Sequence, residues 1–265
     1  MIPNFYHSGE IGDIIYGLKA LSKVPSANFY MGEHLMVPFD PNIEMIGWPN
    51  KNFTAQHFSF LFDFLERQPY IHHAIHGVPE SIDYNLNLFR KEIFKIKYLN
   101  FADLHLHCCG FDIDKTDGHV PWLFSDVKKI KPISVIRVNR RINEKFPWKL
   151  ITEKYHDDMI FLGTKSEHEE FTELTGHIVE WTDYTNLLSI AEVINGAQLH
   201  IGNSTSISVC AEGLKKPMIF ESEALPNNIW HELQVFNRED RITVNPDHTC
   251  DDMIMEKIDG FLKLN

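Results

Sequence analysis

The sequence predicts an α/β protein of two Rossmann-like domains, each a parallel sheet wound with helices, facing a cleft. Three observations carry this expectation. From residue 133 onward, short apolar β-branched runs alternate with amphipathic helical patterns, the signature of βα repeats and parallel strands. Several helices open directly after a strand, on small or acidic residues. Apolar periodicity lapses at "SDVKKIKP", where Pro132 intervenes, and this divides the chain into 1–127 and 132–248, with a last helix over 249–265.

In order along the first part, "IPNFYHS" has the aromatic content and length of a buried strand, followed by a helix from Asp13 with Ile14, Ile15, Leu18 and Leu21 on one face. "SANFYMG" reads as a second strand and "FTAQHFSFLFDFLERQ" as a helix with Phe58, Leu61, Phe62 and Leu65 at helical spacing. "YIHHAIHG" reads as a strand and "YNLNLFRKEIFKIKYL" as a helix. In the second part, "ISVIRVN" is a strand and "PWKLITEKYH" a helix opened by Pro147 near its first turn. "MIFLGT" is a strand, and "SEHEEFTELTG" a helix with Ser166 and Glu169 in capping-box spacing and Gly176 as its stop. "TNLLSIAEVINGA" (helix), "QLHIGN" (strand), "STSISVCAEGL" (helix) and "PMIFES" (strand) complete the repeat. "CDDMIMEKIDGFLKLN" closes the chain as a helix, with acids in its first turn and Lys263 near its end, in accord with the macrodipole.

The chain has 265 residues and a net charge of −12, which disfavours non-specific attraction to nucleic acid. The balance is uneven, however. Lys128, Lys129, Lys131, Arg137, Arg140, Arg141, Lys145 and Lys149 crowd into one region, which reads either as a solvated surface patch or as an anion site. No apolar run is long enough to cross a bilayer, and no basic segment followed by an apolar one marks a secretory leader. The four cysteines lack framework spacing, as reduced thiols do. A cytoplasmic protein without an integral membrane segment is the expectation.

Three stretches could carry chemistry. In "HIGNSTSISVCAEGLKKP" a strand ends, Gly202 turns the chain and a helix opens on Asn203, Ser204, Thr205 and Ser206. Unpaired N–H groups at such an opening suit a phosphate, although plain N-capping explains the same residue types. In "RVNRRINEKFPWKLI", Arg140, Arg141 and Lys145 follow a strand, where open α/β sheets bind ligands, and they could neutralise a diphosphate leaving group. In "HSGEIGDIIYGLKAL", Gly9, Glu10 and Gly12 form a loop that a substrate can approach, and Asp13 stands at the helix mouth as either a general base or a cap. "HLHCCGFD" and "HHAIH" lack the spacing of a closed metal site, so no metal is expected.

These three pieces, in this order, resemble the heptosyltransferase-like glycosyltransferases, family 9 of the GT-B fold. "EIGDIIYGLKAL" looks like the family's opening Gly-Asp helix motif, and "CCGFDI" with "VPWLF" is similar to the end of its first domain. "NEKFPWKLI" resembles its Lys-x-Trp-Pro segment, with Phe146 in the aromatic position. "FLGTKSEHEEFTEL" and "TNLLSIAEVINGAQLHIGNSTSISVCAEGLKKPMIF" resemble its nucleotide-binding half. The resemblance implies inverting, metal-independent transfer of a hexosyl, heptosyl or pentosyl group from a nucleotide-sugar donor, with no other cofactor. It implies an acceptor hydroxyl on a glycan, a small molecule or a hydroxylated base of phage DNA. Carried over by position, Asp13 would take the acceptor's proton, Lys145 with Arg141 would contact donor phosphate, and Asn203, Ser204, Thr205 and Ser206 would cradle the diphosphate. Glu212 would reach a ribose, and the last helix would brace the first domain. Asn203-Ser204-Thr205 stands where the family usually has Asp-Ser-Gly. That substitution favours a second reading, a non-catalytic nucleotide-sugar binder. A dinucleotide-dependent Rossmann enzyme, using Gly9 to Asp13 with Glu33 on a ribose, is the third.

Overall fold

A computed structural model describes residues 1–32, 53–92, 96, 99–113, 117–222, 238–245 and 251–263. The described residues divide into two compact units, one up to residue 124 and one from residue 125 onward.

In the first unit, β1 (Asn4–His7) is followed by α1 (Ile11–Leu21), β2 (Ala27–Met31), α2 (Ala55–Glu66), β3 (Ile71–His76) and β4 (Tyr84–Asn85). α3 (Phe89–Glu92) and α4 (Phe101–Cys108) come after them. The sheet order is β3-β2-β1-β4, and every pairing is parallel. Phe5, Tyr6 and Phe29 fill the core from the strands, and Ile14, Ile15 and Leu18 from α1.

The helix expected over "YNLNLFRKEIFKIKYL" forms differently. Tyr84 and Asn85 pair with Phe5 and Tyr6 as a short edge strand, and residues 86–88 make a 3-10 turn before α3. Asn85 causes the break. Its Oδ1 accepts from the Asn87 backbone N–H at 3.1 Å and from Asn87 Nδ2 at 3.1 Å, a local bond that competes with helix formation.

In the second unit the order is β5 (Ile133–Ile136), α5 (Trp148–Tyr155), β6 (Met159–Phe161), α6 (Lys165–Thr175), β7 (Glu180–Trp181) and α7 (Leu187–Gly196). It continues with β8 (Leu199–Gly202), α8 (Ser206–Gly213), β9 (Met218–Glu221), β10 (Arg241–Val244) and α9 (Asp251–Lys263). The six strands run β10-β9-β8-β5-β6-β7, all parallel. α6 begins two residues before the expected box. Thr164 is its cap and Glu167 reaches back to the Thr164 N–H at 2.8 Å. Gly176 ends it at φ 77°, a left-handed position suited to glycine. Pro147 sits at the cap position of α5, just before the helix, rather than inside its first turn.

The buried side chains of α9, Ile254 and Ile258, join the second unit's core. Asp259 accepts from Tyr155 Oη at 2.6 Å and from Lys154 Nζ at 2.9 Å. Cys250, also expected in this helix, lies outside the described residues.

The segment 125–131 also belongs to the second unit. Lys128 N–H donates to Glu192 O at 2.9 Å, and Asn195 Nδ2 donates to Ser125 O at 2.9 Å. A Cβ at Gly196 would overlap the Lys128 carbonyl oxygen and stand 2.9 Å from Lys129 N, backbone atoms that cannot rotate away. Gly196→Ala is therefore expected to cost about 1–3 kcal/mol, as overpacking does. A urea titration checks this, and an unchanged midpoint would refute it. Among the described residues no helix is long and apolar enough to cross a membrane.

Candidate functional site

In the first unit α1 starts straight after β1, at the carboxyl edge of the sheet. Glu10 occupies its cap position without a side-chain cap bond to the helix, so Glu10 does not cap the first amides. Asp13 is not a cap. It lies inside the first turn, and its Oδ2 accepts from Arg90 Nη2 at 3.1 Å. Both side chains are mostly covered, at 16% exposure for Arg90 and 13% for Asp13. Arg90 Nη1 donates to Asn87 Oδ1 at 3.1 Å, and the same oxygen accepts from Ser8 N–H at 3.1 Å and Ser8 Oγ at 3.0 Å.

Beneath this loop lie two buried histidines. Gly9 N–H donates to His7 Nδ1 at 2.8 Å. The His7 proton therefore sits on Nε2, pointing at His105 Nε2 3.3 Å away, and His105 Nδ1 donates to Phe101 O at 2.7 Å. Burial lowers the pKa of both, with further lowering at His7 from His105 and Arg90, and it holds His105 at about 3. Both rings are thus neutral near pH 7.

In the second unit β5, β8 and β9 bring three segments to one carboxyl edge. α8 opens on Thr205, whose Oγ1 accepts from Ser208 N–H at 3.2 Å. The N–H groups of Ser206 and Ile207 and the Ser206 hydroxyl have no acceptor or donor among the described residues. Asn203 is fully buried. Its Oδ1 accepts from Val138 N–H at 3.1 Å, while Nδ2 donates to Val138 O at 2.8 Å and Arg141 O at 2.9 Å. Asn203 thus ties the loop after β5 to the loop before α8, and its amide presents no free donor. Arg141 Nη1 completes the tie through Ser204 O at 3.1 Å and Ser204 Oγ at 2.9 Å.

Lys145 is exposed, on the turn before α5. That turn is set by Glu221 at the end of β9, which accepts from Asn143 N–H at 2.7 Å and Trp148 Nε1 at 2.8 Å. Burial raises the Glu221 pKa, against the opposing pull of these two donors and Arg137. Under α8, His200 contacts Ser134 Oγ at 3.0 Å and Ser208 Oγ at 3.2 Å, and burial lowers its pKa to about 3.

Several expectations change here. Glu212 lies near the far end of α8, buried at 1% exposure. Its carboxylate pairs with Arg241 at 2.5 Å, Lys215 at 2.8 Å and Arg238 at 3.6 Å. It neutralises buried cations, which leaves no place for a ribose hydroxyl. The basic run does not form one patch. Lys128, Lys129 and Lys131 precede β5 and Arg140, Arg141, Lys145 and Lys149 follow it, so they stand at opposite ends of the strand, while Arg137 is buried. A Cβ at Gly9 would collide with the Arg90 guanidinium and the His7 ring, so the backbone that a dinucleotide pyrophosphate must approach is already covered. Glu33 lies outside the described residues. His105 is buried while His107 is exposed, and no group of three or more metal-ligating side chains assembles among the described residues.

Arg90, Asn87 and Glu221 escaped the sequence reading. A lone acid ending the apolar strand "PMIFES" is a signal that could have found Glu221. Arg90 meets Asp13 across 77 residues and carries no such mark.

No protein-family model matches the sequence, and no curated protein matches it. By structure, the chain is similar to Escherichia coli heptosyltransferase WaaC in two complexes. With ADP the TM-score is 0.60 at 10% identity, over 98% of this chain and 100% of that one. With ADP-2-deoxy-2-fluoro heptose it is 0.57 at 12%, over 100% of both. A glycosyl transferase family 9 protein from Veillonella parvula scores 0.56 at 11%, over 99% of this chain and 97% of that one. The dodecameric iron-containing heptosyltransferase TibC, in complex with ADP-D-beta-D-heptose, scores 0.51 at 13%, over 94% of this chain and 64% of that one. At such identities the likeness speaks for architecture, and with its two all-parallel α/β units the chain has the GT-B-like fold of these glycosyltransferases.

Proposed function

We propose that the chain is an inverting, metal-independent glycosyltransferase that moves a sugar from a nucleotide-sugar donor to an acceptor hydroxyl. The observation that carries this reading is the opening of α8. Two amides without acceptors among the described residues, Ser206 and Ile207, stand at the carboxyl edge of a parallel sheet, beside a loop braced by Arg141. Helix N-termini of this kind bind phosphate oxygens. Arg141 and Lys145 add positive charge at the same edge, which can stabilise a diphosphate leaving group without a divalent cation.

Asp13 is the proposed base, at the carboxyl edge of the other sheet. The acceptor oxygen forms a bond to the anomeric carbon as its proton passes to the Asp13 carboxylate. The bond from that carbon to the donor phosphate breaks, and the nucleoside diphosphate leaves with the electron pair. Displacement in one step inverts the anomeric centre. Asn203 acts here as a positioning residue, and the split basic run gives no continuous track for a DNA acceptor.

The test is a thermal-shift screen of nucleoside diphosphates and their sugar conjugates, ADP-D-beta-D-heptose among them, with and without chelator. A ligand that binds the folded state raises the melting temperature by mass action. The expected result is a chelator-insensitive shift with a nucleotide sugar and turnover that falls roughly 10²–10⁴-fold in Asp13→Asn with binding intact. Binding without turnover would favour the non-catalytic binder, and absence of any shift from folded protein would overturn both.

A further inference from the structure

We propose that Arg90 is the positioning residue for Asp13, its guanidinium fixing the orientation of the Asp13 carboxylate. The proposal rests on the reading of Asp13 as the base, and four observations carry it. The Arg90 Nη2 to Asp13 Oδ2 contact is 3.1 Å between two largely covered side chains. The guanidinium is itself held from a second direction, by the buried Asn87 Oδ1 on Nη1 at 3.1 Å, and its carbon lies 5.2 Å from the Phe89 ring centroid. A guanidinium fixed at both ends presents one N–H direction to its carboxylate, which a flexible ammonium does not.

The third observation is the clearance over Gly9. Any Cβ there would strike Arg90 Nη2 and the His7 ring, so the loop is glycine where the guanidinium passes over it. The His7 and His105 chain holds the Gly9 amide from below, and Ser8 is held by the same Asn87 oxygen that holds Arg90. Loop, arginine and carboxylate therefore share one set of anchors. The fourth is the break at Asn85–Asn87. By ending the edge strand in a 3-10 turn it starts α3 afresh, and from this short helix Arg90 reaches across to α1.

A proton acceptor works only if its oxygen reaches the hydroxyl in a fixed geometry, so misorientation lowers turnover and leaves donor affinity unchanged. Arg90 is a charged group set against Asp13, while His7 on β1 and His105 on α4, packed on the same loop, are neutral.

The test uses the full chain and the variants Arg90→Met, Arg90→Lys, Gly9→Ala and Asp13→Asn, each shown to be folded by its thermal melt. The first readout needs no turnover. Removing a cation at hydrogen-bond distance disfavours the charged carboxylate, so the Asp13 carboxyl signal in ¹³C NMR should titrate about one pH unit higher in Arg90→Met than in the unaltered chain. Arg90→Lys should fall between them, and Gly9→Ala, which pushes the guanidinium aside, should move in the same direction as Arg90→Met. An unchanged midpoint in Arg90→Met overturns the proposal. The second readout is kinetic, with ADP-D-beta-D-heptose or the conjugate that gives the largest thermal shift as donor. Turnover should drop at least tenfold in Arg90→Met, with donor KM within about twofold and partial rescue in Arg90→Lys. Loss of donor affinity with turnover intact would overturn it as well. Full activity in Asp13→Asn would instead remove the reading of Asp13 as the base, and the NMR midpoint would still decide whether Arg90 holds it.

Discussion

Asn203→Asp is expected to destabilise the second unit by about 3 kcal/mol or more, although it exchanges only one amide nitrogen for oxygen. The amide at this position makes three bonds and needs both of its ends. Val138 N–H requires an acceptor, and the carbonyls of Val138 and Arg141 require donors, at 2.8 and 2.9 Å. Aspartate supplies the acceptor and sets a second oxygen against two carbonyl oxygens. The site is fully buried, so water cannot make up the difference. For a chain of this size the change corresponds to a fall of roughly 6–12 °C in melting temperature. Nucleotide binding should weaken in parallel, because the tie that holds Arg141 on Ser204 loosens and a negative charge enters beside the proposed phosphate cradle. An Asn203→Asp protein that melts with the unaltered chain would show that the clamp contributes little. The acid usual in the glycosyltransferases that the sequence resembles is therefore expected to harm this chain, since the loop after β5 offers two carbonyls where an acid would need donors.

Acid should destabilise the protein from about pH 6.5 downward, before its carboxylates begin to protonate. His7, His105 and His200 are all fully buried, and burial lowers each pKa below the usual 6.5, to about 3 for His105 and His200. In the unfolded chain these rings protonate as the pH falls through about 6.5, whereas in the folded chain they stay neutral. The unfolded state then binds more protons, so stability declines as the pH falls below that point and goes on declining until the folded-state pKa values are reached. Each ring shifts the folding equilibrium by up to about tenfold per pH unit, and three together by up to about 4 kcal/mol per unit. Glu221 works in the opposite direction, because burial raises its pKa and the folded state takes up its proton first, but it is one group against three. With a net stability in the usual range of about 5–15 kcal/mol, a loss of up to about 4 kcal/mol per unit below pH 6.5 puts the transition between roughly pH 3 and 5.5. Melting temperatures from pH 8 to pH 4.5 check this, together with histidine NMR signals that stay in the neutral form while the protein is folded. A melting temperature flat from pH 7 to pH 5 would mean that the rings are protonated or exposed in solution.

The sequence by itself determined what depends on neighbours along the chain. The strands β1, β2, β3, β5, β6, β8 and β9 follow from apolar runs bounded by turn residues. α8 opens after Gly202 because small hydroxyl residues cap a helix wherever they stand. The same local logic put Lys145 just before α5, whereas α1 begins at Ile11, two residues ahead of the start expected at Asp13.

Tertiary structure decided what each polar side chain does once it is placed. Asp13 is paired rather than a cap because Arg90, 77 residues away, is carried to it by α3. Asn203 is a clamp rather than a ligand donor because β5 lies next to β8, which brings Val138 to its amide. Glu212, which could pass for a ribose contact on sequence alone, is buried against Arg238 and Arg241. Asn85 could have stood within a helix, and it ends a short strand instead because the edge of the sheet offers Tyr84 and Asn85 a partner in β1. Helix and strand periods are local properties of the chain, whereas a hydrogen bond is satisfied by whichever group the sheet order brings near, and sheet order is fixed by burial of the whole core rather than by any single stretch of sequence.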